Sequence, residues 1–90
     1  MPYIKQELRT KINVGLDELI DQINHLSTEG NINGLVTFAL YSIVKYFYGY
    51  TESFDKISDG IKVLECAKLE FARQVLNPYE DKKIKENGDV

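Results

Sequence analysis

Apolar residues recur at helical spacing along most of this chain, and no stretch alternates with the period of two that a half-buried strand requires. Ile12, Leu16, Leu19, Ile20 and Ile23 stand at i, i+4, i+7, i+8 and i+11, with Asp17, Glu18, Asp21 and Gln22 on the other side. This predicts a helix with one apolar stripe. Pro2-Tyr3-Ile4 reads as an extended lead, and Lys5 to Arg9 as a separate short helical turn. Ser27-Thr28-Glu29-Gly30-Asn31 is a loop by composition. Asn31 or Asn33 suits the cap of a second helix over 32–47. That helix carries Leu35, Val36, Ala39, Leu40, Ile43 and Phe47 on one face, and Thr37, Tyr41, Val44 and Tyr48 on the opposite one. A helix that is apolar on two faces is central in its fold or lies at an interface.

After a connection at 49–53, Ser58 reads as the N-cap of a third helix over 59–76, with Asp59 in its first turn. Ile57, Ile61, Leu64, Phe71 and Val75 form its main stripe, while Cys66, Leu69 and Leu76 lie well round the cylinder. Asn77-Pro78-Tyr79-Glu80 places asparagine, proline and glutamate where a helix N-terminus favours them. It predicts a break followed by a short helix from Pro78 to Glu86, with Asp81–Lys85 and Lys82–Glu86 pairs and a stop at Asn87-Gly88. The expectation is an all-α fold: one domain over 1–90, a small bundle of three main helices and a C-terminal arm over 78–90. Helices two and three offer more apolar surface than one three-helix core uses, so the chain is expected to form a homo-oligomer.

Composition narrows the chemistry. Ninety residues with a net charge of −3 do not provide the basic face that general DNA or RNA binding needs. A single cysteine, Cys66, excludes an internal disulfide framework and fits a reducing compartment. Beside Glu65 it reads as a small buried residue, not a reactive thiol. The absence of a signal-like start, with a longest apolar stretch of Leu35 to Tyr48 interrupted by Lys45, predicts a cytoplasmic protein without a membrane span. His25 is the only histidine and reads as a residue near a helix C-terminus, not a catalytic base. One histidine and one cysteine cannot build a zinc site, and no phosphate loop, dinucleotide fingerprint or nucleophile elbow occurs. The expectation is a non-enzyme with no cofactor and no metal.

Binding residues are easier to nominate. Tyrosines combine a rigid ring with one hydrogen-bonding tip, which suits stacking on a base. Lys68 falls within the third helix's apolar stripe, where an ammonium either reaches out towards Glu65 or faces an anion. Lys5 and Arg9 at one end, with Arg73, Lys82 and Lys83 at the other, would form a phosphate site if the ends meet, and a solvated surface if they do not. The candidate ligand-binding set is therefore Tyr3, Lys5, Arg9, Lys68, Arg73, Tyr79, Lys82 and Lys83.

The opening MPYIKQE, the run VLECAKLEF and the block PYEDKKIKENGDV together resemble a family of small uncharacterised phage and prophage proteins. The resemblance covers the first ten residues or so and roughly the last thirty. It implies a viral setting and no reaction. Relatives carry an aromatic and paired arginines after the position of Phe71, where this chain has Ala72-Arg73-Gln74. By analogy with small acidic helical phage proteins, the expected role is binding: a sponge for a nucleotide-derived immune signal at an oligomer interface. The alternative is a module that binds a host or phage protein through an apolar helix face, or a structural part of an assembly.

Overall fold

The computed structural model describes residues 4–88 and is all-α, with no strand among them. Four helices follow in order: α1 (Gln6–Leu26), α2 (Ile32–Tyr48), α3 (Phe54–Phe71) and α4 (Asn77–Asn87), with a π-helical turn (Ala72–Leu76) joining the last two. No helix among the described residues is long and apolar enough to cross a membrane.

Local chemistry explains the element boundaries, including three that differ from the sequence expectation. No proline or glycine interrupts Lys5 to Ile12, and Leu8 extends the stripe one turn below Ile12. The expected separate turn is therefore part of one continuous α1. The cap of helix α3 lies five residues before the expected one. The Ser53 hydroxyl accepts the Lys56 N–H at 3.3 Å, and Asp55 takes the favourable first-turn position. Ser58 and Asp59 consequently lie inside the helix. Ser53→Ala removes this cap and is expected to lower stability by about 1 kcal/mol in a urea titration, whereas Ser58→Ala is expected to leave it nearly unchanged.

The break expected at Asn77-Pro78 does not occur. Asn77 has helical dihedrals (φ −62°, ψ −45°), so it does not cap a new helix. Proline lacks a donor and its ring crowds the carbonyl four residues back. The π turn relieves that crowding by widening the helix, and the Asn77 N–H donates to the Ala72 carbonyl five residues earlier. Helix α4 thus continues α3. It ends as expected after Asn87, where Gly88 takes φ +83°. Its ion pair is Lys83–Glu86 at 3.3 Å; neither expected pair, Asp81–Lys85 or Lys82–Glu86, is formed.

Packing between elements is sparse. Helices α2 and α3 form a hairpin, α1 touches α2 alone, and α4 touches only the π turn. Gly60 is the one buried residue among those described, and no hydrophobic side chain is buried. The chain exposes 8057 Å², against about 5,400 Å² for a compact monomer of this mass. Its radius of gyration is 16.6 Å, against about 12 Å for a compact chain of this length. Cys66, expected to be buried, is exposed, because among the described elements only α2 and the π turn pack on α3.

Candidate binding surfaces

The basic set does not converge within one protomer. Lys5 precedes α1, and its carbonyl accepts the Leu8 and Arg9 N–H groups. Arg9 Nε turns back to donate to the Ile4 carbonyl at 2.9 Å. Helix α1 makes no contact with α3, the π turn or α4, so these two cations stay apart from the other three. Tyr3 lies outside the described residues.

Along the continuous C-terminal helix, carboxylates already engage most of the nominated cations. Lys68 reaches Glu65 at 3.7 Å and is exposed, so it faces solvent and not an anion pocket. Arg73 forks onto Glu70: Nε donates to Oε2 at 3.3 Å and Nη2 to Oε1, while Gln74 Nε2 donates to Oε1 at 3.0 Å. A guanidinium held in both arms by a carboxylate has lost the geometry it would offer a phosphate. Lys83 lies 5.7 Å from the Tyr79 ring centroid as well as beside Glu86. Lys82 is exposed and enters none of these ion pairs. Such exposed pairs each contribute a few tenths of a kcal/mol, so an incoming anion could displace them at small cost.

A second feature escaped the sequence reading. Helices α2 and α3 approach closely at Gly60, where the absent side chain admits Val44 and Tyr48. Beside that contact runs an open groove of about 510 Å³, lined by apolar side chains including Leu40, Val44, Ile57, Ile61 and Leu64. At its rim the Lys45 ammonium lies 5.7 Å from the ring centroids of both Tyr41 and Tyr50. Cations at that distance are attracted by the ring faces. The Tyr41 side chain, by hydrogen bonding and by charge, raises the Lys45 pKa above its ordinary value, and Tyr50 adds to the effect. The Tyr41–Lys45 spacing of four was a legible signal; Tyr50 beyond the helix end was not.

The opposite side of α2 is also open: Phe38 and Tyr46 are 69% and 70% exposed, and Phe47 packs edge-on to Tyr46 at 5.0 Å. Among the described residues no three His, Cys, Asp or Glu side chains come together as a metal site. The family model described as Domain of unknown function (DUF6899) matches residues 1–90. No curated protein and no solved structure matches the chain.

Proposed function

The chain belongs to the DUF6899 family, and we propose that it is a non-enzymatic binding protein, complete only as a homo-oligomer, that holds an anionic ligand where protomers meet. The observation that carries this reading is the absence of a buried hydrophobic side chain among the described residues. A chain that leaves most of its large apolar side chains exposed has its stabilising surface available for association. The ligand class follows from the cations. Lys5 and Arg9 are separated from Lys82 and Lys83 within one chain, so a joint phosphate site requires groups from different protomers. A nucleotide-derived immune signal suits such a site, with Tyr79 available for stacking. The setting we propose is the cytoplasm of a cell carrying a phage or prophage, in keeping with the free thiol of Cys66.

The test is a thermal-shift screen of nucleotides, cyclic dinucleotides and ADP-ribose derivatives. A ligand present at a hundred times its Kd adds about 2.7 kcal/mol, and a Lys5→Ala/Lys82→Ala chain is expected to lose that gain. If no member of the three classes moves the midpoint, the nucleotide reading is abandoned. The exposed Phe38 and Tyr46 side of α2 favours a second reading, a module that binds a host or phage protein or serves in an assembly. Co-purification from infected-cell lysate separates the two.

A further inference from the structure

We infer that the α2–α3 groove is the seat of the α1 stripe from a second copy, so that chains join head to tail. This rests on the homo-oligomeric reading above and specifies the surfaces that meet. Two complementary surfaces lie open on one chain. The groove has apolar walls, with Ile61 at 65% exposure. On α1, Leu8, Ile12, Leu16 and Ile20 are all exposed.

The chain's own α1 does not occupy the groove, because α3 forms one wall and α1 makes no contact with α3. The connection to α2 holds it elsewhere. The Thr28 N–H donates to Asn31 Oδ1 at 2.6 Å, and Asn31 Nδ2 donates to the Leu26 carbonyl at 3.3 Å. That pinned five-residue loop, 27–31, leaves no slack for α1 to cross to the other side of α2.

Surface character and area favour a second copy over a foreign segment. Among the described residues the only charge lining the groove is Lys45, which is also the only charge on α2. The α1 stripe is uncharged, with Asp17, Glu18 and Asp21 on the other side of that helix. The surface in excess of a compact monomer is roughly 2,700 Å² per chain, a scale that matches obligate subunit contacts of about 2,000–5,000 Å² in total. A heterologous contact of this kind covers both surfaces on every chain and closes into a ring when the rotation permits.

The experiment uses two full-length variants, one with each surface spoiled. Ile12→Arg breaks the stripe and leaves the groove; Ile61→Arg breaks the groove and leaves the stripe. Light scattering on the wild type is expected to give a multiple of the 10.3 kDa protomer. Each variant alone is expected to fall to protomer mass or to lose helicity. Refolded together one to one, they are expected to form a discrete pair, since one intact stripe meets one intact groove and the spoiled surfaces block further growth. Either variant keeping the wild-type mass overturns the pairing, as does a mixture that stays unassembled. A ligand screen that fails while the mixture assembles removes the nucleotide reading alone. A monomeric wild type removes both the oligomer and the pairing.

Discussion

Gly60→Leu is expected to open the α2–α3 hairpin, with a large loss of helical signal on heating well below the wild-type midpoint. A Cβ at this position would stand 3.0 Å from Tyr48 Cβ and 3.1 Å from Val44 Cγ1. Tyr48 Cβ is fixed to the α2 backbone and cannot turn away as the end of a flexible side chain would. The helices must therefore separate. Overpacking typically costs about 1–3 kcal/mol, and an isobutyl group enforces a wider separation than a methyl. Gly60→Ala sets that cost against a helix-propensity gain of about 1 kcal/mol, and a smaller net loss is expected. Gly34→Ala is the control: it is helical, and no atom lies within 4 Å of the added carbon. It should be neutral or stabilising by up to about 1 kcal/mol. Equal stability of the Gly60→Leu variant and the wild type in urea would show that the close approach does not hold the hairpin.

Stability is also expected to depend on protein concentration. With no buried hydrophobic side chain among the described residues, the isolated protomer lacks the core that normally offsets conformational entropy. In the proposed homo-oligomer, association supplies the missing burial. For a dimer, each tenfold dilution removes about 1.4 kcal/mol, which lowers the midpoint by a few degrees; larger assemblies respond more steeply. Calorimetry across a hundredfold concentration range reads this directly. A midpoint that does not move, together with a protomer mass in solution, would refute the obligate assembly.

Helix content was legible because it depends on neighbours in sequence. Stripes at i, i+3 and i+4, a loop of Ser, Thr, Gly and Asn, and a terminal Asn-Gly all act within a turn or two. The cap of α3 was misplaced because Ser53 and Ser58 offer the same short-range signal, each with an aspartate in the following turn. Asn77-Pro78 misled for a similar reason: the motif that starts a helix also fits inside one when a π turn gives the proline ring room. The candidate anion site was the least legible part. Cations can be named from sequence, and the Glu70–Arg73 pair is local at three residues' spacing, but whether Arg9 meets Lys82 and Lys83 depends on where α1 lies relative to α4.

The sequence by itself determined that this chain is helical, that its helices carry more than one apolar face, and that the last helix stops at Gly88. Those properties follow from local periodicity and backbone preference. Only the tertiary structure decided which face of α2 meets α3, that Gly60 lies in close contact with α2, and that α1 stays apart from α4. An apolar stripe is complementary to many others, so periodicity cannot choose its partner. That choice rests on the short pinned loop after α1 and on one missing Cβ, and on the long-range packing that both permit.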